Sequence, residues 1–374
     1  MKTLAKRRLG RTGLAVTELG FGGISIQSLG ADEAVELIRA AADAGINFFD
    51  TARVYTDSER KLGMGLAGRD RIVATKSLAR DADTLRRELE ESLAELGMDS
   101  VGLFQLHNVS RMETLERVLA PGGALDGARR AHDEGLTSHI GVTSHNLDVA
   151  AAAIRTGAFA TLQIPYNVVE DGADRQGLFA LAQELDVGVI VMKPLAGGAL
   201  ENPAAALRFA LQADIATVIP GMQSLAHLRE DIRALDGAAP PSRDEMRELL
   251  ALAGRLGRRF CRRCQYCLPC PEGIDIPQVF ICATTAFARG ETERARRMYS
   301  LLEKPASGCR ECAECEPRCP YDLPIREMLA EAAAMLESGG GRDNGEPVSD
   351  VASGVGAPAA AGIGGDAWTG LTSS

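Results

Sequence analysis

The sequence predicts an α/β protein in three parts: a (β/α)8 barrel over residues 1–240, a small and mostly helical cysteine-bearing domain over 241–337, and a flexible tail over 338–374. Three observations carry this. Short apolar runs alternate eight times with helical stretches across about 235 residues, the usual size of such a barrel. The runs are apolar on both faces, as buried parallel strands are. All nine cysteines fall between Cys261 and Cys319, and the tail is rich in glycine, alanine and serine.

The strand candidates, in order, are Val16–Gly23, Asn47–Thr51, Ile72–Lys76, Val101–His107, His139–Ser144, Leu162–Asn167, Val187–Lys193 and Thr217–Pro220. A helix is expected from Asp32 to Ala44 and another after Ser58, where Thr56 and Glu59 have capping-box spacing. The next, from Asp83 to Leu96, sets Leu85, Leu89, Leu93 and Leu96 in one stripe at helical spacing. An open doubly wound sheet would need a glycine-rich turn opening directly on a helix after the first strand. Gly20, Gly22 and Gly23 do not supply G-x-G-x-x-G in that place. Beyond the barrel, helices are expected at Arg243–Arg258, Pro277–Arg289, 291–302 and Ile325–Leu336.

Composition narrows the function. Hydrophobic residues make up 45% and charged residues 25% of 374, which excludes a wholly disordered chain. No stretch reaches the roughly 18 apolar residues that a membrane span needs. The basic N-terminus is broken by Gly10, Arg11 and Gly13 before any apolar run, unlike a signal peptide. The net charge of −10 argues against binding a nucleic-acid backbone. The expected setting is therefore cytoplasmic, with neither nucleic acid nor membrane as partner.

In a barrel the chemistry lies at the C-terminal ends of the strands. Asp50 ends the second strand with Tyr55 just beyond it, Lys76 ends the third and His107 the fourth. Each alone would read as a cap, a solvated end or a satisfied histidine; together, at one mouth, they point to a catalytic site.

The segment Gly45-Ile-Asn-Phe-Phe-Asp-Thr-Ala-Arg-Val-Tyr55 resembles the aldo-keto reductase signature around its catalytic Asp and Tyr, and Arg8-Leu-Gly-Arg-Thr-Gly-Leu14 is similar to that family's N-terminal hairpin. Lys76 and His107 fall where that family has its catalytic Lys and His. The resemblance implies that Tyr55 is the acid of carbonyl reduction, that Lys76, held by Asp50, lowers its phenol from the ordinary value of about 10, and that His107 orients the substrate oxygen. It also implies a nicotinamide cofactor, NADP by preference or NAD, and a small carbonyl or alcohol as substrate. It places cofactor contacts at Thr143, Ser144, Gln163, Gly221 and Ser224, and Lys193 adds a cation there, as a cofactor contact or a loop charge. It also shows departures. Thr143 and Ser144 replace the usual Ser-Asn pair, Met192 replaces a stacking tyrosine, and Gly221 and His227 stand where basic residues commonly grip a 2′-phosphate. Ile219-Pro-Gly221 resembles the start of the phosphate loop, and a helix N-terminus near Ser224 suits an anion. His145 lies beyond the fifth strand, as a pocket or a surface residue.

The cysteines form two runs. Cys261, Cys264, Cys267 and Cys270 are each separated by two residues, and Cys309, Cys312, Cys315 and Cys319 follow the bacterial ferredoxin spacing; each run ends in Cys-Pro. Such runs bind [4Fe–4S] clusters, and in two-cluster ferredoxins the fourth cysteine of each run serves the other cluster. By that rule Cys319 joins Cys261, Cys264 and Cys267, and Cys270 joins Cys309, Cys312 and Cys315. Two four-cysteine zinc sites are the rival reading. Cys282 reads as a buried apolar residue. Arg258, Arg259, Arg262 and Arg263 flank the first run, to receive an acidic partner, offset cluster charge or face solvent. Trp368 lies in the tail as a docking anchor or a solvated residue. Aldo-keto reductases with a C-terminal ferredoxin-like extension form a recognisable group, which Pro271–Pro277 and Pro320–Arg326 resemble too.

The expected activity is NAD(P)H-dependent interconversion of a carbonyl and an alcohol, with two clusters exchanging electrons with a redox protein partner. Two alternatives stay open. One is a redox-sensing or electron-transfer protein whose barrel binds nicotinamide with little turnover. The other has clusters that only stabilise the C-terminal domain.

Overall fold

The computed structural model describes residues 4–235, 239–257, 259–288 and 290–337. Arg258, Arg289, Trp368 and the tail 338–374 lie outside the described residues.

A hairpin of β1 (Lys6–Arg8) and β2 (Ala15–Thr17) crosses the N-terminal end of the barrel. Eight parallel strands follow: β3 (Phe21–Gly22), β4 (Phe48–Asp50), β5 (Ile72–Ser77), β6 (Leu103–Leu106), β7 (Ile140–Thr143), β8 (Thr161–Pro165), β9 (Gly188–Met192) and β10 (Thr217–Ile219). They pair in sequence order, and the last returns to the first through parallel bridges Leu19–Val218 and Gly22–Gly221, so the barrel closes. β4 to β8 are buried along nearly their whole length, as their apolar composition on both faces requires.

The parallel register decides which side chains share a layer. Lys76 on β5 pairs with Gln105 on β6, and Thr143 on β7 pairs with Gln163 on β8. These polar groups collect at one end of the barrel, while Phe48, Phe104, Val142 and Leu162 fill core positions.

The helix Ala82–Leu96 forms as its leucine stripe predicts. Asp81 caps it by accepting a hydrogen bond from the Thr84 N–H at 2.9 Å, Gly97 ends it in the left-handed region, and Leu85, Leu89, Leu93 and Leu96 are all buried. The capping box expected at Thr56 and Glu59 does not form. Thr56 has a positive φ of 42°, Asp57 occupies the N-cap of Ser58–Leu66, and Glu59 turns inward to accept a hydrogen bond from Thr75 Oγ1 at 2.6 Å. A buried strand hydroxyl outcompetes the exposed cap for that carboxylate.

One buried acid gives the barrel a pH signature. Asp231, on the helix Leu225–Ala234, is 3% exposed, and burial, helped by Glu230, pushes its carboxyl up to about 7 from 3.8. The folded state then holds a proton that the unfolded chain releases near pH 4, so this contribution to stability is full below about pH 4 and is lost as pH rises towards about 7. Asp231→Asn is expected to flatten the dependence of the unfolding midpoint on pH across that window, measured by chemical denaturation at several pH values.

After the barrel, Ser242 and Glu245 form a capping box that starts the helix Arg243–Leu256. Its Leu249, Leu252 and Leu256 meet Ala205 and Ala206 of the barrel helix Pro203–Ala210. Three helices, Ile276–Phe287, Thr292–Tyr299 and Ile325–Glu337, build a second apolar core with Val279, Phe280 and Leu329. Cys282 is buried in that core as an apolar residue. Among the described residues no helix is long and apolar enough to cross a membrane.

Candidate functional site

The ends of β4, β5 and β6 bring the four expected catalytic side chains together. Lys76 Nζ lies 2.6 Å from Asp50 Oδ2 and donates also to the Thr51 carbonyl. The ammonium stands 5.0 Å from the centroid of the Tyr55 ring. The Tyr55 and His107 rings meet edge to face at 5.8 Å. Gln105, which the sequence reading missed, ties the layer together: its amide nitrogen donates to Gln163 Oε1 at 2.9 Å and to Asp50 Oδ1 at 3.3 Å.

The electrostatics correct one expectation. The Tyr55 phenol is pushed up, not down: burial dominates, and the negative charges of Asp50 and Cys264 add to it. Lys76 is already neutralised by Asp50, so little net positive field reaches the phenol. Burial also presses Asp50 upwards and Lys76 downwards, against their mutual attraction. His107 is held well below its usual range by burial and by the cations Lys76, Arg80 and Lys193, so its imidazole is neutral at pH 7.

The other candidates lie on neighbouring strand ends, each already engaged. Thr143 Oγ1 accepts from the Asn108 N–H at 2.8 Å, and Ser144 Oγ closes a turn with Asn146. Gln163 is buried against Gln105 and Asp50. Lys193, at a positive φ of 56°, contacts His145 Nε2 at 3.0 Å and donates to the Tyr321 hydroxyl at 2.8 Å. His145 is therefore a mouth residue rather than a surface one. The far end of the mouth is more open. Gly221 is exposed, and a Cβ there would lie 2.1 Å from Ser25 Oγ, so any side chain would crowd this cradle and turn the Ser25 hydroxyl aside. Ser224 accepts from the His227 N–H and caps the following helix. This end fits a phosphate group; beside Gln163, Thr143 and Ser144 are hydrogen-bonded within the protein, while Gln105 Oε1 is buried without a partner among the described residues.

The cysteine domain sits on this same mouth. Gly197, in the loop after β9, has a positive φ of 68°, and a Cβ there would come within 2.9 Å of the Arg262 carbonyl. The two chains of the joint thus approach backbone to backbone. Tyr266, in the spacer between Cys264 and Cys267, places its hydroxyl 2.7 Å from His107 Nε2. Tyr321, two residues after Cys319, rests on Lys193, on His145 at 5.3 Å and under Arg262 at 4.6 Å. Neither tyrosine was anticipated. The available signal was that Tyr266, Tyr299 and Tyr321, three of the chain's five tyrosines, lie in the cysteine segment.

Two of the flanking arginines take up structural partners. Arg259 pairs with Glu327 at 2.7 Å and Glu331 at 2.9 Å, and Arg262 is buried beside Glu170 at 3.4 Å and over Phe260.

Cys261, Cys264, Cys267 and Cys319 line one pocket whose remaining walls include the apolar Ile276, Phe280, Leu323 and Ile325. Burial and the neighbouring sulfurs raise the Cys261, Cys267 and Cys319 thiols; Cys261 is pushed up to about 11 and Cys267 further. Such a set of crowded thiols fits a group that replaces their protons with iron. The two runs also wind alike. Arg263 and Gln265 in the first, and Glu311 and Ala313 in the second, have positive φ at matching places, and the N–H groups of Arg263 and Glu311 donate to Cys261 and Cys309 sulfur at 3.4 Å. Cys309 and Cys312 act electrostatically on Cys315, and Arg318 ties the second run to the Leu268 and Pro269 carbonyls beside Cys270. Among the described residues no three His, Cys, Asp or Glu side chains are grouped to hold a single metal ion.

A model of the aldo/keto reductase family matches residues 18–205, and a 4Fe-4S dicluster domain model matches residues 260–324. The second match favours iron–sulfur over zinc. L-galactose dehydrogenase of Arabidopsis thaliana is 29% identical over 287 residues, covering 63% of this chain and 89% of its own. The 6-dehydroglucose reductase of Novosphingobium aromaticivorans is 31% identical over 223 residues, covering 53% and 71%. Among solved structures, an aldo-keto reductase from Bacillus halodurans in its holo form shares the fold with a TM-score of 0.57 at 24% identity, over 66% of this chain and 95% of its own.

Proposed function

The chain belongs to the aldo/keto reductase family and carries a C-terminal 4Fe-4S dicluster domain; from that premise we propose that it interconverts a carbonyl and an alcohol with NADP(H), or NAD(H), and exchanges electrons with a redox protein through two [4Fe–4S] clusters. The division into a barrel at 1–240 and a cluster domain at 241–337 belongs to this proposal. The observation that carries it is the convergence of Tyr55 and His107 beside the buried Lys76–Asp50 pair at one barrel mouth.

Nicotinamide, when bound, supplies or removes the hydride. Gly221 and Ser224 would take a phosphate of the cofactor at the open end of the mouth, with Thr143, Ser144, Gln163 and Lys193 lining the path to the reacting carbon. Tyr55 gives the proton to the developing alkoxide, or takes it in the reverse direction. Lys76, fixed by Asp50, holds the Tyr55 ring in place from 5.0 Å, and burial keeps the phenol protonated until it gives its proton to the substrate oxygen. Neutral His107 donates a hydrogen bond to the substrate oxygen and orients it. Cys261, Cys264, Cys267 and Cys319 would hold one cluster, and Cys270, Cys309, Cys312 and Cys315 the other, each supplying one electron at a time. The two relatives above are named for sugars, which makes hydroxy-aldehydes and sugar lactols the first substrates to try.

Anaerobic titration of the reconstituted protein with NADPH tests this. Oxidation of the nicotinamide on adding an aldehyde, at 340 nm, is the expected result. Matched bleaching of the visible sulfur-to-iron band would mean that barrel and clusters communicate, which needs a mediator that splits a hydride into single electrons. A second reading, an electron-transfer or sensing protein with little turnover, draws on the internal engagement of Thr143, Ser144 and Gln163. Tight NADPH binding without aldehyde reduction would select it.

A further inference from the structure

The loops that follow barrel strands ordinarily wall the substrate pocket, yet in this chain they are poor in aromatic residues, which make up 4% of the sequence. Two aromatic side chains reach the mouth from the cysteine domain instead. Tyr266 stands with its hydroxyl on His107 Nε2 at 2.7 Å and its ring edge-to-face with both His107 and His145, at 5.7 and 6.0 Å. Tyr321 closes the adjoining flank over Lys193. The nitrogen that Tyr266 occupies is the atom that must donate to the substrate oxygen if His107 orients it. The Nδ1 atom of His107 is buried and has no hydrogen-bond partner among the described residues, so Nε2 is the side of the ring that works.

We propose that Tyr266 is the specificity-determining residue of the barrel site: its phenol, docked on His107 from the Cys264–Cys267 spacer, holds the place of the substrate oxygen and admits only carbonyl compounds small enough to displace it and fit beside its ring. This rests on the carbonyl-reductase reading. It makes the substrate class short aldehydes, ketones and hydroxy-aldehydes. It also means that the segment which supplies cluster ligands supplies the substrate wall. The substrate oxygen replaces the phenol as the hydrogen-bond partner of His107, and the phenol turns aside with its ring still at the pocket wall.

The test uses full-length reconstituted protein. NADPH oxidation is measured with glyceraldehyde as the small substrate and 4-nitrobenzaldehyde as the bulky one, in the wild type, Tyr266→Phe and Tyr266→Ala. Losing the competing hydroxyl in Tyr266→Phe should lower KM for glyceraldehyde about 3–10-fold at unchanged kcat, the worth of one hydrogen bond. Tyr266→Ala should raise the ratio of kcat/KM for the bulky over the small aldehyde at least about ten-fold. Unchanged KM and unchanged ratio overturn the proposal, as does a fall in kcat at constant KM. A second readout needs no turnover. Carbethoxylation of His107 by diethyl pyrocarbonate, mapped by mass spectrometry against the exposed His132 as reference, should speed up at least about ten-fold in Tyr266→Ala. An unchanged His107 rate overturns the docking even if the variants lose their visible band. Failure of the reductase reading looks different: no aldehyde is reduced by the wild type, while His107 still responds to Tyr266→Ala.

Discussion

Tyr55→Phe is expected to lower kcat/KM for carbonyl reduction by about 10²–10⁴-fold, the usual worth of a positioned general acid. The substitution removes one oxygen and keeps the ring. The Lys76 ammonium still faces that ring at 5.0 Å and the edge contact with His107 at 5.8 Å persists, so the fold and the thermal midpoint should stay as they were. Steady-state kinetics with glyceraldehyde and NADPH, alongside a melting curve, separate the two. Undiminished reduction would remove Tyr55 from the role of acid and direct attention to Tyr266, the other phenol beside His107.

Lys76→Met is expected to produce the largest loss of stability, about 3–5 kcal/mol, because it leaves a buried carboxylate without its counter-charge. Asp50 is 3% exposed and Lys76 1% exposed, and their atoms meet at 2.6 Å. Methionine nearly conserves the volume, so the cost is electrostatic rather than a cavity. Gln105 still donates to Asp50, but only at 3.3 Å. Burial then drives Asp50 to take up a proton, and the variant should recover stability as pH falls towards the carboxylate range, the reverse of ordinary acid denaturation. Chemical denaturation at pH 7 and pH 5 checks both the size and the direction. The double variant with Asp50→Asn should be more stable at pH 7 than Lys76→Met, since the uncompensated charge is gone.

Much of the molecule was legible in its sequence. The barrel follows from local rules. Apolar runs of strand length alternate with helical stripes such as Leu85, Leu89, Leu93 and Leu96, and strand ends at Asp50, Lys76 and His107 finish in chemistry-bearing residues. The two cysteine runs were equally plain, because their chemistry depends on short, fixed spacings within one stretch of chain. Thr56 and Glu59 mark where such reasoning stops. Their spacing fits a cap, yet Glu59 is drawn to a hydroxyl sixteen residues away on a buried strand.

The sequence by itself determined most of the elements, the polar strand ends and the two cysteine runs, each a property of neighbours along the chain. The tertiary structure decided the electrostatic state of Tyr55, where burial and Asp50 outweigh a lysine already paired. It also decided that the cysteine domain reaches into the barrel mouth. His107 and Tyr266 are separated by 159 residues, as are the partners of the Lys193–Tyr321 contact by 128. Pattern and periodicity report on residues a few places apart; only the packing of one domain's loop onto the ends of another's strands could bring those side chains to hydrogen-bond distance.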